Sequence, residues 1–167
     1  MSHTVSKQID RYREMATQNE RVDRTEVVAL LQLAARRNDA DLLFADAGRR
    51  AASRACEGVN KVMRRTWSLL PAFGRRRFGV ALVGRVLRGI FDVELVRDGR
   101  EFVAHVAAHS VGAATPDRGA CGFYGSAIAA TLRAFTDFDG AVLHPNCRAN
   151  GASVCRWSTG HPKGTDA

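Results

Sequence analysis

The hydrophobic period of this chain changes partway along, and that change sets its fold class. Up to Ile90 the apolar residues recur three and four apart, as in Val83, Val86, Leu87 and Ile90, with Arg85 and Arg88 on the other side. That spacing belongs to helices with one buried face. The next stretch, FDVELVRDGREFVAHVAAH, alternates instead and reads as two strands around Asp98-Gly99, a strong hairpin signal. A helical pattern returns in CGFYGSAIAATLRAF, with Tyr124, Ile128, Leu132 and Phe135 along one face. GAVLHPNC and ASVCRWS then form a second hairpin around Asn150-Gly151. The expected class is α+β: N-terminal helices packed on a small, mainly antiparallel sheet, with a β-hairpin at the C-terminal end.

The earlier helices are marked by their ends. Thr25 is placed to cap a helix running to about Arg37, with Val28, Leu31 and Ala35 on one face. A second helix is expected from about Asp39 to Cys56, ended by Gly58. The segment VNKVMRRTWSLLPAFGRRR fits no single period and is broken by Pro71, after which a third helix runs from about Phe73 to Gly89. TPDRG is loop. A chain of 167 residues can bury a core as one domain without disulfide staples. Residues 1–24 are polar and are expected to form an N-terminal segment, residues 25–158 the folded domain, and residues 159–167 a tail. The first two dozen residues hold no apolar signal-peptide core, and no run approaches bilayer length, so cytoplasmic residence is the default. In that compartment four cysteines are read as thiols or metal ligands before disulfides.

Charge is concentrated upstream. Residues 1–100 hold 20 Lys/Arg against 12 Asp/Glu, and residues 101–167 hold 5 against 5, so the whole net +8 lies in the first part. Between Arg49 and Arg88 Glu57 is the one acid among eleven basic residues. Such a stretch either serves as a solvated helix face or attracts an anionic partner, such as an acidic membrane surface, a carboxylated ligand or an acidic protein. No helix-turn-helix, zinc-finger or RNA-binding signature accompanies it, which argues against nucleic acid.

The segment HPNCRANGASVCRW, residues 144–157, carries the candidate chemistry. A three-residue loop from Asn150 to Ala152 would set Cys147 directly opposite Cys155, with both side chains on one face and Gly151 in the left-handed position. His144 lies three residues before Cys147, so a regular strand would turn it away; a kink or bulge at Pro145 would bring it round. Cys121, at the start of the preceding helix, could supply a fourth ligand. Three thiolates and one imidazole make a closed tetrahedral zinc site. Spacing alone equally permits small buried cysteines beside an unrelated histidine.

These residues resemble a known family. The ending CRANGASVCRW is similar to the closing signature of the 4-vinyl reductase domain family, where two cysteines flank a glycine turn and an aromatic residue follows. CGFYGSAIAATLRAF resembles that family's cysteine-initiated helix. The separations Cys121 to His144 (23), His144 to Cys147 (3) and Cys147 to Cys155 (8) look like the zinc-ligand spacing of phenol-sensing members. Those members typically place an acidic residue where His144 stands. Upstream, AGRRAASRACEG and RRTWSLLPAFGRRRFGVALVGRVL look most like the standalone proteins of bacteriochlorophyll biosynthesis. The resemblance covers roughly residues 25–158; the chain is shorter at its N-terminus than those proteins and lacks the ATPase and DNA-binding modules of the phenol-responsive regulators. It implies a structural Zn2+ held by Cys121, His144, Cys147 and Cys155, pinning the C-terminal hairpin. It also implies a hydrophobic small-molecule ligand (a tetrapyrrole or small aromatic), a homodimer, and a chlorophyll-pathway enzyme as partner, in the cytoplasm or peripheral to the inner membrane.

Candidate ligand contacts follow. His105 and His109 are four apart on an expected strand and project from one face, where either could meet a tetrapyrrole magnesium or a phenol, or simply face water. Tyr124 could reach a polar ligand group or fill the core. Trp157 shares a face with Cys155 and is expected to pack beside the metal. Trp67 and Phe73 flank Pro71 and could line a pocket mouth, and Arg75, Arg76 and Arg77 could pair with propionates or dock a membrane or partner. Cys56 is left over, as a small buried hydrophobe. No catalytic residue is assigned: the chain shows no G-x-G-x-x-G after a strand, no P-loop and no iron–sulfur cysteine set, and four protein ligands leave a zinc ion no open position. Three functions fit these residues: tetrapyrrole carrier or accessory protein, sensor of small aromatics acting through a separate partner, and 4-vinyl reductase with a further cofactor or partner.

Overall fold

The computed structural model describes residues 24–67, 72–98, 101–106 and 119–160, together with Lys7, Arg11 and Glu14. Three helices come first: α1 (Arg24–Ala35), α2 (Ala40–Trp67) and α3 (Ala72–Phe91). Helix α1 begins at Arg24, one residue before Thr25, the expected cap, whose side chain lies outside the described residues. Helix α2 runs well past Gly58, where a stop was expected. Its inward stripe, with Ala52 and Cys56 buried and Val59 packed against the core, continues across the glycine. Burial of that stripe outweighs the roughly 1 kcal/mol helix penalty of glycine. Helix α2 ends at Trp67 and α3 begins at Ala72; Pro71, where a break is expected, lies outside the described residues.

Helix α3 buries Val83, Val86 and Leu87 and exposes Arg85 and Arg88. Ile90 departs from the expected stripe and is 57% exposed, because Phe91 takes the inward position in the last turn. The helix passes Gly89 and ends at Asp92, which adopts φ 52°. Aspartate tolerates this left-handed position better than most side chains, and the reversal feeds straight into a strand.

Strands β1 (Val93–Asp98) and β2 (Glu101–Val106) pair antiparallel with Asp98 opposite Glu101, so the turn falls one residue later than Asp98-Gly99. Helix α4 (Gly119–Phe135) follows, then β3 (Ala141–Asn146), a 3-10 turn (Arg148–Asn150) and β4 (Arg156–Gly160). The sheet order is β1-β2-β4-β3, antiparallel throughout. β4 extends through Thr159 into what the sequence placed in the tail. The Phe102 N–H donates to Thr159 Oγ1 at 2.8 Å and ties the two central strands together.

The core lies between the helices and one face of the sheet. Val93, Ala104 and Trp157 point inward from the strands, and Tyr124, Ile128, Leu132 and Phe135 point inward from α4, all along the predicted face. Helix α4 packs most extensively on α2, where a Cβ at Gly48 would collide with the carbonyl oxygen of Phe123. No helix among the described residues is long and apolar enough to cross a membrane.

The two glycines of α2 therefore separate packing from propensity. Gly48→Ala should destabilise by about 1–3 kcal/mol through overpacking. Gly58→Ala, which meets open space, should stabilise by roughly 0.5–1 kcal/mol. Urea unfolding of both variants checks the pair, and equal effects would refute the close α2–α4 approach.

Candidate metal centre

Four side chains from separate elements converge at one end of α4. Cys121 lies in its first turn, His144 in β3, Cys147 just after β3, and Cys155 just before β4. The register explains how His144 arrives. Leu143 pairs with Ser158 and Asn146 with Arg156, so His144 and Pro145 together face the single residue Trp157. One extra residue reverses the alternation of sides, which puts His144 on the same side as Cys147. Pro145, with no N–H to give the ladder, suits that bulge on an edge strand. The imidazole stacks on Trp157 with centroids 4.5 Å apart and planes 12° apart, and Trp157 leans in turn on Tyr124 at 5.7 Å.

The hairpin connection differs from the three-residue loop expected from Asn150 to Ala152. Cys147 and Cys155 are not paired across the ladder; both lie in a longer connection closed by Asn146 opposite Arg156. Its turn is held by the Cys147 carbonyl, which accepts from Asn150 N–H at 2.9 Å and Ala152 N–H at 3.1 Å. Gly151 takes φ 89°, the left-handed position read from the sequence.

One ligand atom from each of Cys121, His144, Cys147 and Cys155 lies within 4.8 Å of all the others, close enough to hold a metal ion. The Cys121 and Cys147 sulfurs are 3.6 Å apart. Bonds of about 2.3 Å in a tetrahedron place sulfurs roughly 3.8 Å apart, so this spacing already suits a shared ion. His144 Nε2 is buried without a hydrogen-bond partner. A buried acceptor left unpaired is costly, and a metal would satisfy it.

Electrostatics favours anionic sulfur at Cys147 and opposes it at Cys121. Burial opposes ionisation of Cys147, but the Cys121 thiol and the backbone N–H groups of Ala149 and Asn150, with Cys155, outweigh it and hold Cys147 below the ordinary thiol value. Cys121 is pushed well above it, by burial first and then by the neighbouring Cys147 and Cys155. Burial lowers the His144 value, keeping the imidazole neutral as a ligand must be. Arg148 N–H donates to Cys155 Sγ at 3.4 Å, and Cys121 sits at the positive end of α4.

Beside the cluster runs an open cleft of about 550 Å³. Gly122, Gly125, Ser126, Ala129 and Ala130 of α4 line it, together with Arg49, Arg133, Val142 and Asn150. Cys121, His144, Cys147 and Trp157 form its metal-binding end. The sequence reading missed these lining residues. Their signal was small residues three and four apart after Cys121, on the face of α4 turned from the apolar stripe.

The other singled-out residues lie elsewhere. Tyr124 is buried against Phe123 and Trp157 in the core. His105 lies half-buried in β2, between Glu94 and Arg156 in register and on the sheet face away from Trp157. Arg77 is exposed on α3. The side chains of Trp67, Phe73, Arg75 and Arg76, and all of His109, lie outside the described residues. In the basic stretch, Asp46 binds Arg49 at 2.8 Å and Arg50 at 2.6 Å, while Arg88 meets Glu94 at 3.4 Å. Cys56 is buried, its thiol value raised by burial, and stands apart from the cluster.

Scans against protein-family models, curated proteins and solved structures returned no match for this chain.

Cys147→Ser and Cys155→Ser should each weaken metal binding by more than the roughly 10–100-fold typical of an outer-shell partner, and lower the unfolding temperature. Metal analysis with thermal unfolding tests this; a variant that keeps its metal would remove that residue from the ligand set. Acidification should release the metal, because protons compete for the thiolates and imidazole. Metal retained in dialysis at about pH 4 would contradict a thiolate-rich site.

Proposed function

We propose that this protein is a zinc-containing, small-molecule-binding protein of the 4-vinyl reductase type that binds a tetrapyrrole of the (bacterio)chlorophyll pathway as a carrier or accessory factor. The observation that carries this reading is the joining of two features: a Cys3His cluster with an unpartnered imidazole nitrogen, and the cleft it closes at one end. Three sulfurs and an imidazole with ligand atoms within 4.8 Å of one another suit Zn2+, which takes four such ligands in structural sites. Held that way, the ion cross-links the C-terminal hairpin to α4.

The cleft supports the ligand class. Its volume lies within the roughly 300–1,000 Å³ of small-molecule sites. A floor of glycine, serine and alanine lets a flat ring system approach the α4 backbone, where larger side chains would hold it off. Arg49 and Arg133 stand among the lining residues and can form charge-assisted hydrogen bonds to ring carboxylates. Arg133 is steadied by donating to the Gly140 carbonyl at 3.2 Å and lying over the Phe138 ring. Trp157 places a fluorophore in the wall.

Titration of zinc-quantified protein with magnesium protoporphyrin, followed by absorbance and tryptophan quenching, tests the reading. Saturation near one per chain is expected, with Arg49→Ala and Arg133→Ala each weakening binding about tenfold. Absence of porphyrin binding by folded, zinc-loaded protein would sink the carrier reading. Binding of phenols in its place would make the protein a small-aromatic sensor.

A further inference from the structure

We propose that Cys121 and Cys147 form an oxidisable pair, which peroxide converts to a disulfide with release of the bound metal. The inference rests on the zinc reading above and adds a regulation of that site.

Geometry selects this pair. Both residues line the open cleft, whereas Cys155 does not; half-buried Cys121 meets a small oxidant arriving through the cleft, and buried Cys147 lies directly behind it. Their sulfurs are 3.6 Å apart, and a disulfide bond is about 2.05 Å, so closing it requires a shift of roughly 1.6 Å. Cys121 is fixed on α4, but Cys147 lies outside the strand ladder, where β3 gives way to the 3-10 turn. Cys147 can therefore move without breaking a strand pair. Cys155 also lies outside the ladder, just before β4, but its sulfur is held by the Arg148 N–H.

The chemistry balances with peroxide as oxidant. The Cys121 sulfur, a thiolate while it ligates the metal, attacks one oxygen of hydrogen peroxide, the O–O bond breaks, and hydroxide leaves, giving a sulfenic acid. The Cys147 thiolate then attacks that sulfur, forming the S–S bond and expelling the second hydroxide. Each hydroxide takes up a proton, so two thiolates, one peroxide and two protons yield one disulfide and two waters. Only His144 and Cys155 then remain as ligands, and the ion departs. The disulfide replaces the metal as the link between α4 and the hairpin connection, so the fold is retained while the metal-binding end of the cleft is rebuilt. A dithiol reductant reverses the step.

The test begins with the zinc content of the purified protein. Zinc-loaded protein is treated with hydrogen peroxide beside a zinc-chelating dye, and its cysteine pairing is then mapped by mass spectrometry. Complete metal release accompanied by a Cys121–Cys147 disulfide is expected, with zinc binding restored after dithiothreitol. Cys56→Ser should release metal at the unchanged rate. The proposal is overturned by a disulfide through Cys155, by sulfinic acid without a disulfide, or by retained zinc at peroxide levels that oxidise a free thiol. If the protein carries no zinc, the metal reading fails separately. The metal-free chain and Cys155→Ser then decide the pair, since formation of the Cys121–Cys147 disulfide in them supports it and any other pairing, or none, overturns it.

Discussion

Burial of one face of α4 organises the rest of the structure. Tyr124, Ile128, Leu132 and Phe135 enter a core shared with α2, α3 and the sheet, and the side chains of Ile128 and Leu132 are almost wholly buried. At about 1.5–3 kcal/mol for each large apolar side chain removed from water, this face fixes the rotation of the helix about its axis. That rotation sets where Cys121 points and turns the small residues Gly122, Ser126 and Ala129 toward the cleft. The close contact at Gly48 fixes how near α2 can come, and with it the position of Arg49.

The metal centre is the second consequence of that packing. Trp157 projects inward from β4, and the bulge lays the His144 ring flat against it. The imidazole is thereby oriented by an apolar stack, and its buried Nε2 has no hydrogen-bond partner. Backbone N–H groups of the 3-10 turn face the sulfurs of Cys147 and Cys155, and Cys121 sits at the N-terminal end of α4, so fixed dipoles are already aimed at the place where thiolate charge would gather. The positive charge of Arg133 along the cleft adds to this field. Two of the arginines in the basic stretch are drawn into pairs with Asp46, so part of that stretch is already neutralised within the helix.

Much of this was legible because periodicity reports burial directly. The inward face of α4 and the two hairpins were readable from spacing, which for Cys121, His144, Cys147 and Cys155 permitted a shared site without requiring one. The end of α2 was not, since a glycine signals a stop only when nothing beyond it is buried, and Val59 is. The reading of Tyr124 as a ligand contact competed with a core role that the α4 stripe already implied, and the structure places it in the core. The cleft was hidden because its lining is small residues, which carry no hydrophobic periodicity.

The sequence by itself determined the α+β class, the strand pairs and the identity of the clustered side chains, because those depend on local alternation and on residue chemistry. Only the tertiary structure decided the length of the Cys147–Cys155 connection, the one-residue bulge that sets His144 and Cys147 on one side, and the open groove along α4. Each of these depends on residues distant in sequence meeting at one place: Trp157 against His144, Phe123 against Gly48, and Cys121 against Cys147. Local propensity cannot encode such meetings, because their free energy arises only when the elements pack.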